Sequence, residues 1–466
     1  MLFNTFAFIF GFLPLVYFTT FFVRKSNDLF KIVLCGASLF FYAVWEAKYL
    51  PLLVGSITLN FLMAKKIVLL RDKNNENHAK KTLYISILFN LLLLGIFKYT
   101  GFFLKVIEDI AGGTFSVEIT LPLAISFFTF QQMAFLVDVY KKNTKPDNFL
   151  NYFFFVSFFP QLIAGPIVNY KNIRPQLSNI CLFDKKNLMY GLHYLILGLF
   201  KKTVIADSLA GNANSIFKAE ATLDALSSWI GTLSYTFQIY FDFSGYTDIA
   251  FGLALFFGIK LPTNFNSPYK SKNIQDFWRR WHITLSSWFK EYLYIPMGGN
   301  QLGKGRTLLN IFFIALVSGL WHGAGYGFLL WGLLHGVALV VHRVFSSSLK
   351  VKTQFKAISF VGKTLSIGMT FLFIHLTWIF FRAENFEIAK NVFVSLFSSY
   401  DGEIPPFSLF KIVSLSILGI VCFFAPNSNL LCERDYPVWF SFFIGFVLFL
   451  SIGFMNRVGE FVYFQF

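Results

Sequence analysis

The sequence predicts an all-α, polytopic integral membrane protein, and three observations carry that prediction. Hydrophobic residues make up 56% of the 466-residue chain and charged residues only 14%, whereas a soluble domain carries about 25% charged residues. The mean hydropathy of +0.59 leaves too little polar surface to cover a globule in water. Apolar runs approaching the roughly 20 residues needed to cross a bilayer also recur along the whole length.

In order, the spanning candidates are 5–23, 29–46, 50–64, 83–104, 120–140, 187–206, 226–257, 307–345, 365–381, 411–426 and 437–456. The run 307–345 is long enough for two helices. With 148–168, whose end is broken by proline, about eleven or twelve crossings are expected. The first run ends at Arg24 and Lys25, with no basic region ahead of it and no small-residue cleavage site. It reads as a first spanning helix rather than a removable signal. Residues 1–466 read as a single transmembrane domain with short loops.

Loop charge orients the helices. Arg24, Lys25 and Lys31 follow the first helix, and Lys65, Lys66, Arg71, Lys73, Lys80 and Lys81 follow the third. Both loops are expected in the cytoplasm, which puts the N-terminus outside. Glu108, Asp109 and Glu118, and later Asp207, Glu220 and Asp224, mark external loops, while Lys141, Lys142 and Lys145 bring the chain back. Simple counting then places 169–186 outside, against its Lys171, Arg174, Lys185 and Lys186. A re-entrant hairpin over 155–168 removes the conflict. Pro160, Gly165 and Pro166 suit such broken backbone, which survives at membrane depth only where protein or a water cavity covers it.

The segment 261–273 is polar and carries Pro262 and Pro268, so it is expected on the cytoplasmic side. The following IQDFWRRWHITLSSWFKEYLYIP is too charged to span and too aromatic to float free. Trp278, Trp281, Leu285, Trp288 and Tyr292 fall at helical spacings on one side. The pattern predicts an amphipathic or re-entrant helix, ended by Pro296 and Gly298–Gly299.

Composition also excludes. The formal charge of +16 suits cytoplasmic loops meeting anionic headgroups rather than nucleic acid. Cys35, Cys181, Cys422 and Cys432 are scattered without a CxxC pair, so neither a disulfide framework nor a zinc site is implied. Without an HExxH or a compact His pair, no metal ligation is expected. No GxSxG elbow, Walker loop or dinucleotide fingerprint occurs.

Polar side chains at membrane depth mark function, and they concentrate in 274–336. His322 sits in SGLWHGAGYG, with glycines at 319, 323, 325 and 327 that let backbones or a ligand approach closely. Two readings stand here: a general base in a narrow pocket, or a helix-packing motif with an incidental histidine. His282 follows Arg279 and Arg280 in FWRRWHIT, which suits either an anionic ligand or a positive-inside anchor with a tryptophan belt. Upstream, Asp242 and Asp248 lie in an apolar run, and Arg279 and Arg280 are the expected partners. His193, His335, His342 and His375 read as packed core histidines, and His78 as a solvated one.

Several stretches resemble the membrane-bound O-acyltransferase family, in particular its bacterial branch of polysaccharide O-acetyltransferases with teichoic-acid D-alanyltransferases as relatives. They are PQLIAGPI (160–167), YFDFSGYTDIAFG (240–252), LPTNFNSPYKSKNIQDFWRRWHITLSSWFKEYLYIPMGGN (261–300) and GLWHGAG (319–325). The resemblance is dense over about 160–325. It implies about eleven helices plus re-entrant ones around a central tunnel, in a bacterial cytoplasmic membrane. It maps the family's two histidines onto His322 and His282 as catalytic residues. Trp278, Arg279, Arg280, Trp281, Trp321, Asp242, Asp248 and Asn264 become donor-binding or supporting residues. It further implies a thioester donor, acetyl-CoA or an acylated carrier, with no bound cofactor. An extracytoplasmic acyltransferase partner and a cell-envelope polysaccharide acceptor complete the expectation. D-alanyl transfer from a carrier protein and a non-catalytic transporter of an acyl group or lipid-linked glycan remain as alternatives.

Overall fold

The computed structural model describes residues 1–114, 119–163, 165–178, 180, 184–218, 223–348, 356–399, 406–437 and 439–455. Glu118, Ala164, Cys181 and Glu220 lie outside the described residues. Among those described, every regular element is helical. Five helical segments are long and apolar enough to cross a membrane: Asn27–Asp72, Glu76–Ala111, Lys185–Ile216, Tyr326–Ser346 and Phe360–Arg382. Three shorter apolar helices are Ala7–Val23, Ser408–Phe424 and Trp439–Phe454. The run 307–345 resolves into two helices, Gly303–His322 and Tyr326–Ser348, while 226–257 forms one, Ala225–Phe256.

The chain forms two compact units. Unit 1 comprises Met1–Phe200, Gly245–Pro262 and Cys432–Val458, and unit 2 comprises Lys201–Ser244, Thr263–Leu431 and Gly459–Phe466.

In unit 1 the loops read as cytoplasmic gather at one end. Arg71 donates to the Tyr140 carbonyl at 2.5 Å, Asn27 to the Leu177 carbonyl at 2.8 Å, and Arg174 reaches both carboxylate oxygens of Asp147 at 2.5 and 2.7 Å. The far end of the helix Asn27–Glu46 is tied elsewhere: the Tyr42 hydroxyl donates to the Leu123 carbonyl at 3.2 Å. The two ends of the segment from Asp147 to Arg174 therefore lie side by side. Its first helix, Phe149–Ser157, stops where Phe158 turns extended (ψ 109°) ahead of Pro160, and Ser38 Oγ accepts the Phe159 N–H at 3.1 Å.

Phenylalanines 3, 8, 12, 41 and 159 pack ring to ring beneath that break. Three buried amides are paired, as their burial demands: Asn90 donates to Asn60 at 2.7 Å, Gln132 to Ser56 at 2.9 Å, and Tyr152 to Gln132 at 3.3 Å.

Unit 2 carries the chemistry-bearing stretch. The helices Gly303–His322 and Tyr326–Ser348 pack closely on glycine. A Cβ on Gly332 would stand 2.7 Å from the Ala315 carbonyl oxygen, and one on Gly319 would collide with the Phe328 carbonyl. Gly319 and Gly327 thus serve backbone approach, as a helix-packing motif requires, whereas Gly323 faces the Phe328 ring.

Candidate active site

The expected single helix over 274–295 is two helices. Ile274–Trp278 and Ile283–Phe289 are separated by a break at His282, whose backbone is left-handed (φ +43°, ψ +55°). The predicted one-sided stripe is broken accordingly: Trp281 is fully buried, while Trp288 on the second helix is only half-buried. The cause lies in 264–266. The Asn264 carbonyl accepts the Ile283 N–H at 3.0 Å, and the Arg280 carbonyl accepts the Asn266 N–H at 2.9 Å. Asn264 Oδ1 also accepts the Thr284 hydroxyl at 2.8 Å. These bonds replace the helical ladder that 264–266 interrupts, satisfying the buried backbone groups in another way. A left-handed imidazole-bearing residue costs about 1–3 kcal/mol and persists only where its surroundings impose it.

The break turns the His282 ring inward. It is fully buried against Phe243 (4.8 Å between ring centres) and Trp321 (5.9 Å), and neither ring nitrogen has a hydrogen-bond partner among the described residues. Its ring centre is 6.5 Å from that of His322. His322, 2% exposed, ends the helix Gly303–His322. It is walled by the edges of Trp331 at 5.2 Å and Phe381 at 5.3 Å. Trp281 fills the floor of the cage, stacked on Phe277 at 5.6 Å and touching Trp378 at 5.1 Å. The structure therefore brings together His282, His322, Trp278, Trp281, Trp321 and Asn264.

A cleft of about 580 Å³ adjoins this cage, with Trp278 and Ser318 in its wall. Ser318 stands one helical turn before His322. The cleft's sides are largely apolar, and Arg279, Lys290 and Arg343 bring three cations to it.

Two expectations need correcting. Arg280 pairs with Asp276 at 2.9 Å, one turn back on its own segment, rather than with Asp242 or Asp248. Proximity along the chain decides this, since i, i+4 side chains share a face. Asp242 pairs instead with Lys202 at 2.7 Å, and Lys202 also holds Asp207 at 2.8 Å, all three side chains being buried. Asp248 belongs to unit 1, where it lies close enough to Tyr194 to act on its hydroxyl. Lys202 escaped the sequence reading, although a cation inside an apolar run was the available signal. Trp331, Trp378 and Phe381 were hidden among many aromatics.

Among the described residues no group of three or more His, Cys, Asp or Glu could hold a metal ion. Cys35, Cys422 and Cys432 are free thiols.

The model of the membrane-bound O-acyltransferase family matches residues 40–382. The peptidoglycan O-acetyltransferase of Helicobacter pylori is 48% identical over 84% of this chain and 79% of its own length. A probable alginate O-acetylase of Pseudomonas syringae is 34% identical over 91% of this chain and 80% of its own. The teichoic acid D-alanyltransferase of Bacillus subtilis is 30% identical over 57% of this chain and 69% of its own. With its spanning helices, its buried histidine pair and a family match over most of its length, the chain belongs to the membrane-bound O-acyltransferase family and is a multi-pass membrane acyltransferase.

Proposed function

We propose that this acyltransferase takes a small acyl group, acetyl, from a cytoplasmic thioester and moves it across the cytoplasmic membrane for O-acylation of a cell-envelope polysaccharide. One observation carries the reading: two fully buried imidazoles, 6.5 Å apart, beside a cleft with a cationic border. That spacing suits one oxygen hydrogen-bonded to both rings. The H. pylori relative, named a peptidoglycan O-acetyltransferase, supports acetyl transfer to an envelope polymer.

In this reading Arg279, Lys290 and Arg343 hold the donor's phosphates, since charge-assisted bonds to phosphate are the strong ones. The donor is acetyl-CoA or an acylated carrier, whose thin arm follows the apolar cleft while the headgroup stays outside. His322 takes the proton of the acceptor hydroxyl, and the oxygen attacks the thioester carbonyl. The C–S bond then breaks, and the thiolate leaves and takes up the proton. The acceptor hydroxyl belongs to the polysaccharide or to an extracytoplasmic acyltransferase partner that passes the group on. His282 and the indole N–H of Trp331, which has no hydrogen-bond partner among the described residues, face the developing oxyanion. Trp278, Trp281 and Trp321 form the dry wall, and Asn264 holds the break that aims His282.

The return of Arg174 to Asp147 supports a re-entrant 155–168, and the clustering of basic loops at that end supports an extracytoplasmic N-terminus. The B. subtilis relative keeps D-alanyl transfer as the second reading.

The test is envelope O-acetylation in a strain lacking this gene, complemented with wild type, His322→Ala or His282→Ala at matched membrane levels. Loss of acetyl groups in the His322 variant supports the proposal. Full acetylation with that variant moves the reading to a transporter, and dependence of envelope D-alanine alone moves it to D-alanyl transfer.

A further inference from the structure

Unit 1 contains a polar cavity of about 370 Å³, formed where the Asp147–Arg174 segment meets the start of the helix Asn27–Glu46. Three cations from two segments line it: Lys31, and Lys171 with Arg174. Lys31 is 2% exposed and is held by Asn151 Oδ1 at 2.7 Å and by the surface carboxylate of Asp28 at 2.8 Å. Arg174 leans on Asp147, the one carboxylate of the lining. Lys171 Nζ stands 3.6 Å from Asp138. Between them sits Thr144, 4% exposed, whose hydroxyl has no hydrogen-bond partner among the described residues.

A buried hydroxyl is costly to leave unpaired. Each cation meets a carboxylate, Lys31 with Asp28, Lys171 with Asp138 and Arg174 with Asp147, but the Thr144 hydroxyl still lacks a partner among the described residues, in the wall of a space large enough for a tetrahedral oxyanion and a short polar arm. We propose that this cavity binds a phosphate ester, with Lys31, Lys171 and Arg174 around its oxygens and the Thr144 hydroxyl donating to one of them. Asp147 and Asn27 Oδ1, also without a partner among the described residues, accept from hydroxyls on the ester's arm. Such a group reaches the cavity either as an anionic lipid headgroup of the adjacent leaflet or as a soluble ester. Unlike the histidine cage, this site lies within unit 1 and is independent of the acyl-transfer mechanism.

The test uses the purified full chain. In one arm inorganic phosphate and glycerol 3-phosphate are titrated into protein in zwitterionic nanodiscs while its melting temperature is followed. In the other, nanodiscs containing phosphatidylglycerol are compared with pure phosphatidylcholine, and retained lipid is read by native mass spectrometry. A response in the soluble arm assigns a free ester, and retention in the lipid arm alone assigns a headgroup. In whichever arm responds, Lys171→Gln is expected to weaken binding about tenfold, the loss of one charge-assisted bond. The near-isosteric Thr144→Val weakens it several-fold, and Thr144→Ser restores it. No response in either arm, or binding unchanged by both Lys171→Gln and Thr144→Val, overturns the proposal.

Discussion

The indole N–H of Trp278 donates to Nδ1 of His335 at 3.2 Å, and that bond fixes the state of a buried imidazole. Because Nδ1 accepts, the ring proton is on Nε2, which faces Thr377 Oγ1 at 3.1 Å. The Thr377 hydroxyl in turn donates to the Ile374 carbonyl at 2.9 Å, so every member of the chain is satisfied. His335 also lies 4.4 Å from the ring of Trp331, the residue whose edge meets His322. It reads as a positioning residue: it holds two tryptophans, one in the cleft wall and one against His322.

That chain predicts a difference between two variants. His335→Asn keeps an acceptor for the Trp278 indole, whereas His335→Phe keeps the bulk and removes the acceptor. Residues that orient a reacting group from behind are typically worth about tenfold to hundredfold. Acyl transfer measured in membranes should fall by that factor in His335→Phe and recover largely in His335→Asn, at equal protein levels. Equal activity of the two variants would show that the bond does not matter.

Much of this architecture was readable in the chain because lipid imposes a simple rule: apolar runs become helices. Hydropathy located the five helical segments that are long and apolar enough to cross a membrane, and Pro160 marked the break after Ser157. His282 and His322 stood out as polar groups where polarity is expensive. What remained hidden depends on contacts between distant segments. Nothing near Asp242 in the sequence names Lys202 as its partner, forty residues earlier. Helical periodicity across 274–295 suggested one helix because it is blind to the 264–266 segment that captures the Ile283 N–H. The aromatic cage is likewise illegible in a chain with 65 phenylalanines.

The left-handed backbone at His282 separates the ring from the chain geometry. Glycine occupies that region freely, whereas alanine meets the penalty of a side chain. His282→Gly is therefore expected to melt no lower than His282→Ala, and both are expected to lose most acyl transfer, since both lack the imidazole. Thermal unfolding in detergent together with an activity assay separates the two effects. A fully active His282→Gly would remove the ring from the chemistry.

Glycines in one helix should respond in opposite ways. At Gly319 an added methyl would collide with the Phe328 carbonyl, whereas at Gly305 nothing stands within 4 Å. Gly319→Ala is expected to destabilise by about 1–3 kcal/mol, the usual cost of overpacking. Gly305→Ala should be neutral or stabilising by roughly 0.5–1 kcal/mol, because alanine is the better helix former. Melting temperatures of the two purified variants decide it, and a tolerant Gly319 would mean that the two helices can separate without cost.

Lys202 holds Asp207 and Asp242 together, with all three side chains almost completely buried. Removing one partner of such a network leaves charge without compensation, which costs about 3–5 kcal/mol, far more than the intact network contributes. Lys202→Met, similar in length, should therefore lower the melting temperature sharply and reduce the level of protein in the membrane. Adding Asp242→Asn to Lys202→Met removes one stranded carboxylate and should recover part of that loss. If the double variant is as unstable as the sum of the two single ones, Lys202 and Asp242 are not energetically coupled, and the 2.7 Å contact between them does not support the fold.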